Sequence, residues 1–316
     1  RCEQRPALPA GLWLFGGTIP DADFPLTLSA VAMEKERLCL DGGRLRIAVN
    51  RGTPAMLTAA RLTCDQLTRD RVCPGAHESC CYMLAAGDSG TGQGSRLVYQ
   101  RLIETLPELR PRGITFHYLL PDVDWHNRIL LAVEALPQRP ILIADAGYMY
   151  AAKMSGYAEQ YDLFTPDIGE LAFLADELAP HPFYTRNFLL ADEEQAEELI
   201  SSAYAGHNAA KHMLVKGGID RYVHEGRVAE TVDGPDIPML EPIGGTGDTL
   251  TGIASALLAS GLGMRAACVA AFRINRRMGL LARPNPASSI MDLLEFLPEA
   301  VRQENEVGND FSSKSL

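Results

Sequence analysis

A glycine-rich segment that opens a helix is the part of the chain best suited to chemistry. Residues 244–252 read Gly-Gly-Thr-Gly-Asp-Thr-Leu-Thr-Gly, and an apolar run at helical spacing follows as far as Gly261. Glycines allow a tight turn, and the unpaired N–H groups and positive end of a helix attract an anion. Asp248 lies at that positive end, where its carboxylate stays ionised and is able to deprotonate a hydroxyl that attacks a phosphoryl group. The alternative interpretation is a structural turn in which Asp248 caps the helix.

The composition is that of a globular α/β protein. The chain has 316 residues, of which 47% are hydrophobic and 22% are charged, enough for one large domain or two smaller ones. No apolar run reaches the roughly 20 residues that a membrane-spanning helix needs, and no signal-peptide pattern follows Arg1. The net charge of −11 argues against nucleic acid or an anionic membrane as the main partner. We therefore expect a small-molecule partner.

The seven cysteines show no disulfide framework. Their number is odd and their spacing is irregular, which favours reduced thiols and a cytoplasmic location. Cys73, His77, Cys80 and Cys81 lie close together in the sequence. They lack a C-x-x-C pair and a second cluster, so an irregular loop is favoured over a zinc site.

Strand-like and helix-like segments alternate along the chain, which predicts a mostly parallel sheet with helices on both faces. We expect one three-layer α/β/α sandwich over residues 1–316, with residues 305–316 as a disordered tail. In such sheets ligands gather at the carboxyl ends of the strands. A hairpin is predicted at Tyr222–Ala229, around Glu225-Gly226. The predicted strands are Leu12–Phe15, Leu45–Val49, Cys81–Ala86, Ile114–Leu120, Ile141–Ala144 and Met213–Lys216, and the predicted helices are Pro25–Leu40, Pro54–Leu67, Ser95–Leu106, Asn127–Leu136, Asp192–Tyr204, Thr249–Ser260, Arg265–Leu281 and Met291–Gln303.

Three motifs occur in an order that resembles a known superfamily. Thr-Pro-Asp-Ile-Gly-Glu at 165–170 comes first, Leu-Val-Lys-Gly-Gly at 214–218 second, and the 244–252 segment third. Together they resemble the ribokinase-like superfamily, and within it the branch of ADP-dependent NAD(P)H-hydrate dehydratases. Phe-Leu-Pro at 296–298 also matches that branch. The resemblance extends from about Ile141 to Val301.

The resemblance implies a ribokinase-like fold, ADP or ATP as the phosphoryl donor, and Mg²⁺. In this hypothesis the loop N–H groups hold the transferring phosphoryl group, because donors fixed before charge develops are effective, and Asp248 is the general base. Glu170 and Asp167 would organise a hydrated Mg²⁺; the alternative for both is an acidic helix N-terminus stabilised by the dipole. The residues expected to bind the nucleotide are Gly244, Gly245, Thr246, Gly247, Lys216 and Gly217.

The first half of the chain departs from the family pattern. Gly16-Gly17-Thr18 stands where the family has a glycine loop against the substrate, and the Gly-Ala-Pro segment expected after it is absent. Asp145-Ala146-Gly147 resembles half of an Asp-Ala-Asp segment, and Asp167 replaces the usual histidine of the dehydratases or asparagine of many kinases. A second glycine-rich turn at 87–94 lacks a P-loop ending. Either it lies against substrate or nucleotide, with Asp88 facing a metal or sugar hydroxyls, or it is a flexible structural turn. The expected substrate contacts are Gly16, Gly17, Thr18, Asp88, Asp145 and Asp167.

The activity that the resemblance implies is the repair of hydrated NAD(P)H. Phosphorylation of the hydrate hydroxyl would be followed by elimination of phosphate. Two alternatives stay open: a kinase that acts on a sugar, thiazole or pyrimidine alcohol, and a catalytically silent nucleotide-binding protein. The superfamily is often oligomeric, so a homo-oligomer is compatible with the resemblance. His117, His126 and His181 have no partners at ligand spacing and are interpreted as structural or surface residues.

Overall fold

The computed structural model describes residues 11–70, 81–180, 185 and 193–307. Twelve strands lie in this part of the chain: β1 (Trp13–Ile19), β2 (Thr27–Ala30), β3 (Ala32–Glu34), β4 (Arg37–Leu40), β5 (Leu45–Ala48), β6 (Tyr82–Gly87), β7 (Gly113–His117), β8 (Ile141–Ala144), β9 (Leu163–Phe164), β10 (His212–Val215), β11 (Asp220–His224) and β12 (Arg227–Val232).

Ten α-helices connect and follow these strands in the described residues. They are α1 (Thr53–Arg69), α2 (Gln93–Leu109), α3 (Val123–Glu134), α4 (Gly147–Met154), α5 (Ile168–Ala175), α6 (Ala196–Ala205), α7 (Thr246–Ala259), α8 (Met264–Ala282), α9 (Ile290–Leu294) and α10 (Leu297–Glu306).

Nine of the strands form one mostly parallel sheet, as the alternation of segments predicts. Its order is β12-β11-β10-β9-β8-β7-β1-β6-β2. The six strands from β10 to β6 pair in parallel. The strands β11, β12 and β2 are antiparallel to their neighbours at the two edges. The carboxyl ends of the six parallel strands therefore lie along one edge of the sheet.

Helices cover both faces of this sheet and bury a separate hydrophobic core on each. Trp13 and Phe15 of β1 join one core with residues of α1 and α7–α10. Leu14 points to the opposite core, which includes residues of α2–α6. Because side chains alternate along a strand, β1 contributes to both layers and all seven of its residues are buried. The predicted three-layer architecture is confirmed.

The helix predicted for residues 25–40 is wrong. This segment forms β2, which pairs with the exposed edge of β6, and then β3 and β4 of a small three-stranded antiparallel sheet completed by β5. Lys35 adopts a positive φ of 55° and turns the chain between β3 and β4. Apolar residues here have a spacing that suits either structure, and pairing with other strands decided the outcome.

Two further expectations about segment ends need correction. The predicted helix Met291–Gln303 is broken into α9 and α10, with Pro298 in the first turn of α10, where a missing N–H costs little. The helix α10 extends to Glu306, into the predicted disordered tail, and residues 308–316 lie outside the described part.

The hairpin around Glu225-Gly226 is confirmed, since β11 and β12 pair antiparallel and both turn residues have positive φ.

The described cysteines are buried thiols. Cys39, Cys64, Cys81 and Cys268 form no disulfide bonds. The remaining members of the sequence cluster near residue 77, and His181, lie outside the described residues. None of the helices in the described part of the chain combines the length and hydrophobicity that crossing a bilayer requires.

Candidate active site

The glycine loop ends at the first turn of α7, at the carboxyl edge of the sheet. Gly245 has a φ of 108°, which lets the chain turn directly into the helix at Thr246. The N–H groups of Thr246, Gly247 and Asp248 donate to no acceptor among the described residues. Asn275 fixes this turn from α8, donating to the carbonyl of Thr246 at 3.2 Å. The arrangement is a preformed cluster of donors at the positive end of a helix, as the sequence predicts.

The carboxylate of Asp248 is held by two donors from other elements. Its Oδ2 accepts the N–H of Gly52 at 2.7 Å, and its Oδ1 lies 3.0 Å from Nε2 of His117. The side chain is only 13% exposed. Burial opposes its ionisation, but the hydrogen bond from His117 and the charge of Lys216 outweigh burial and lower the pKa of Asp248. The structure therefore keeps this carboxylate ionised.

His117 is a site residue that sequence reasoning missed. It is the last residue of β7 and is fully buried. Its Nδ1 lies 3.0 Å from Oγ1 of Thr53, and its Nε2 lies 3.6 Å from Oδ2 of Asp145. The ring of His117 therefore links Thr53 to Asp248 through its two nitrogens. The available signal was its place at the carboxyl end of a strand rather than any spacing along the chain.

Asp145 and Lys216, predicted as separate substrate and phosphate contacts, form a buried ion pair. Nζ of Lys216 lies 3.0 Å and 3.2 Å from the two oxygens of Asp145. Thr251 also donates to Asp145, at 2.6 Å. Burial lowers the pKa of Lys216, but the charges of Asp145 and Glu170 prevail and raise it. A Cβ atom added to Gly247 would lie 3.6 Å from Nζ of Lys216, so the cation is next to the glycine loop.

Arg276 positions the backbone after Lys216. This buried α8 side chain donates to the carbonyls of Gly217 at 3.1 Å and Gly218 at 2.6 Å. Its Nε also donates to Asp220 at 2.7 Å. A charged hydrogen-bonding group with several partners fixes the strand end that carries the lysine.

Asp167 and Glu170 form a capping box at the start of α5. Asp167 accepts the N–H of Glu170 at 2.8 Å, and Glu170 accepts the N–H of Asp167 at 2.9 Å. This is the structural role that the sequence left open beside metal binding. Burial and the charge of Asp167 raise the pKa of Glu170 well above its usual range. One oxygen of each carboxylate takes no part in the box.

A different group has the spacing of metal ligands. Among the described residues, this group consists of His117, Asp145 and Asp248, whose ligand atoms all lie within 4.8 Å of one another. These groups already have partners in the protein: His117 forms a hydrogen bond with Asp248, and Lys216 supplies the positive charge beside Asp145. We interpret the group as a hydrogen-bonded network.

The other residues expected to contact substrate have structural roles in their own elements. Gly16, Gly17 and Thr18 lie inside β1 rather than in a loop, and a Cβ at Gly17 would lie 2.5 Å from the carbonyl of His117. Gly17 therefore allows the close pairing of β1 with β7. Asp88 accepts bonds from four backbone N–H groups and one hydroxyl of its own turn, so both of its oxygens are engaged there.

Comparisons with known proteins agree with this architecture. No protein-family model matches the chain. The chain is 37% identical over 220 residues to the uncharacterized protein MJ1337 of Methanocaldococcus jannaschii, a match covering 69% of this chain and 90% of that protein. It is 36% identical over 121 residues to the bifunctional NAD(P)H-hydrate repair enzyme Nnr of Hyperthermus butylicus, covering 37% of this chain and only 22% of that enzyme.

Solved structures share the fold at low sequence identity. A ribokinase-like superfamily protein of Enterococcus faecalis matches with a TM-score of 0.54 and 14% identity, over 95% of this chain and 91% of that one. YxkO of Bacillus subtilis, a member of the UPF0031 family, matches with a TM-score of 0.51 and 16% identity, over 94% and 95% of the two chains. The chain therefore belongs to the same family as MJ1337, and it has the fold of the ribokinase-like structures.

Proposed function

We propose that the chain transfers a phosphoryl group from ADP or ATP to a hydroxyl of a small molecule, with Asp248 as the general base. One observation carries this proposal. An ionised carboxylate lies in the first turn of α7, where three N–H groups have no acceptor among the described residues. Lys216 lies against the same loop. Donors of this kind bind a phosphoryl group, and a carboxylate beside them accepts the proton of the attacking hydroxyl.

The chain's own groups account for each part of the step. The N–H groups of Thr246, Gly247 and Asp248 hold the transferred phosphoryl group, and Lys216 balances phosphate charge. Each oxygen of Asp248 accepts one hydrogen bond within the described structure and has a further lone pair for the substrate hydroxyl. As the hydroxyl oxygen bonds to phosphorus, the bond to the leaving oxygen of the nucleotide breaks and the proton passes to Asp248.

The residues present fit a hydrated Mg²⁺ beside this site. Asp167 and Glu170 each keep one carboxylate oxygen outside the capping box. The two carboxyl groups lie together at the start of α5, and neighbouring acidic groups favour added positive charge. When bound, Mg²⁺ would neutralise phosphate charge and keep most of its waters.

For the acceptor we propose hydrated NAD(P)H. The support is the match to part of the NAD(P)H-hydrate repair enzyme and the glycine–aspartate string at 244–252. After transfer, the phosphate leaves with the electrons of its C–O bond. Loss of a proton from the adjacent ring carbon then restores the dihydropyridine.

The test mixes the protein with hydrated NADH, Mg²⁺ and either ADP or ATP, and follows the near-ultraviolet absorbance of NADH. We expect a nucleotide-dependent rise. Asp248→Asn should bind nucleotide but lose turnover by ~10²–10⁴-fold, the usual contribution of a general base. Asp122→Asn is the matched control, because Asp122 caps α3 and Asn caps helices equally well. A near wild-type rate in Asp248→Asn would contradict the assignment of the base.

A small-molecule kinase is the second candidate. It is favoured by Asp167 and Glu170, because Asp167 replaces the usual histidine of the dehydratases and pairs with Glu170 at the site edge. A stable phosphorylated product, detected by ³¹P NMR, would identify a kinase. Tight nucleotide binding without consumption for any acceptor would instead support a catalytically silent protein.

A further inference from the structure

Tyr118 is an exposed aromatic residue held in an unfavourable backbone conformation. It follows the last residue of β7, has a φ of 49°, and is 50% exposed as a residue. A bulky residue rarely adopts a positive φ unless its surroundings impose it, and such residues cluster at functional sites. Here the buried hydroxyl of Thr18 donates to the carbonyl of Tyr118 and fixes the turn.

The ring of Tyr118 lies beside the catalytic carboxylate. Its centroid is 4.6 Å from that of His117, at an interplanar angle of 74°. The ring also lies against Gly52, the residue whose N–H binds Asp248: a Cβ atom added to Gly52 would lie 3.5 Å and 3.6 Å from two carbons of the ring. Partial burial and the charge of Asp248 raise the pKa of Tyr118 to about 12, so the ring is neutral at physiological pH.

Core packing does not explain this side chain. The rings of the aromatic core, such as Phe116, Tyr148 and Tyr161, are fully buried, whereas Tyr118 belongs to neither hydrophobic core. The hydroxyl of Tyr118 has no hydrogen-bond partner among the described residues. What the position offers is an uncharged aromatic surface at the carboxyl edge of the sheet, next to the base.

We propose that Tyr118 is the platform on which an unsaturated heterocyclic ring of the acceptor rests, with a hydroxyl on or one carbon from that ring facing Asp248. The acceptor is therefore a heterocyclic alcohol rather than a sugar. This assignment rests on the proposed function, because it takes Asp248 as the base. A ring that carries a π-system gains from contact with an aromatic side chain, whereas the hydroxyls of a sugar gain no conventional hydrogen bond from the face of the tyrosine ring.

The test measures binding without turnover, so that it does not depend on activity. Calorimetry with hydrated NADH, pyridoxal, a pyrimidine alcohol and a thiazole alcohol is compared with D-ribose, with and without a non-hydrolysable ATP analogue. At least one ring alcohol should bind better than ribose. Tyr118→Phe should preserve its affinity, and Tyr118→Leu should weaken it roughly 3- to 10-fold, as expected for loss of an aromatic contact. Tyr157→Leu is the matched control, since Tyr157 is 47% exposed outside the site.

A second variant separates a functional role from a structural one. Tyr118→Gly relieves the positive φ and should raise the melting temperature while it weakens ring binding. A residue that serves only stability would show the opposite change in melting temperature. The proposal is overturned if no ring alcohol binds to the wild type, or if Tyr118→Leu leaves its affinity unchanged. If the ring alcohol binds in a way that depends on Tyr118 but the ATP analogue does not bind, the proposed function is overturned and the contact between Tyr118 and the ring is not.

Discussion

Replacing His117 tests whether the buried network controls the base. Asn at this position places its amide near the site of Nδ1 and loses the bond to Asp248. Gln is longer and keeps an N–H donor near the position of Nε2. In the native structure that donor lies 3.0 Å from Oδ1 of Asp248 and contributes to lowering its pKa. We therefore expect His117→Asn to lose most activity at acidic pH and His117→Gln to recover much of it.

The magnitude follows from the type of bond. A hydrogen bond to a charged group contributes ~1.5–3 kcal/mol, which corresponds to roughly 10- to 100-fold in the equilibrium that keeps Asp248 ionised. Because the base must be ionised, a raised pKa in His117→Asn moves the acidic limb of kcat/KM to higher pH. Activity at pH values above that limb should change much less.

The assay is the pH profile of nucleotide-dependent turnover for the wild type and both variants, with circular dichroism to confirm folding. Identical acidic limbs in the wild type and in folded His117→Asn would refute the role of His117. Equal loss in both variants at every pH would indicate a packing defect, and would also contradict the reasoning.

Two other predictions concern stability. A Cβ at Gly252 of α7 would lie 2.1 Å from the carbonyl oxygen of Met56 in α1, so Gly252→Ala should destabilise the protein by about 1–3 kcal/mol. Gly279→Ala is the control, because the three atoms nearest to its Cβ would all belong to the side chain of Leu240 rather than to backbone. Equal melting temperatures for the two variants would contradict this account. Burial lowers the pKa of His126 to about 4. As the pH falls, the imidazole of His126 is protonated at a higher pH in the unfolded chain than in the folded protein. Its contribution to the free energy of unfolding is therefore complete above about pH 6.5 and is lost as the pH falls toward 4, by roughly 3 kcal/mol. Urea unfolding at a series of pH values should show a loss that is roughly 3 kcal/mol larger in the wild type than in His126→Gln.

Local signals in the sequence were reliable where one element decides its own structure. The hairpin at Glu225-Gly226 needs two residues that accept positive φ, and the start of α7 needs a glycine at 245. Both requirements can be read from residue types. The segment 25–40 shows the limit of this approach, because the partner strand β6 that makes β2 a strand lies more than 50 residues away along the chain.

The sequence by itself determined the glycine loop and the carboxylate of Asp248 at its end, since both depend on residues close together in the chain. Only the tertiary structure decided what surrounds Asp248. Gly52 and His117 lie 196 and 131 residues from it in sequence and reach it because parallel strands and the helices that follow them meet at one edge of the sheet. The same folding paired Asp145 with Lys216, 71 residues apart, because two buried charges at this edge are stable only together.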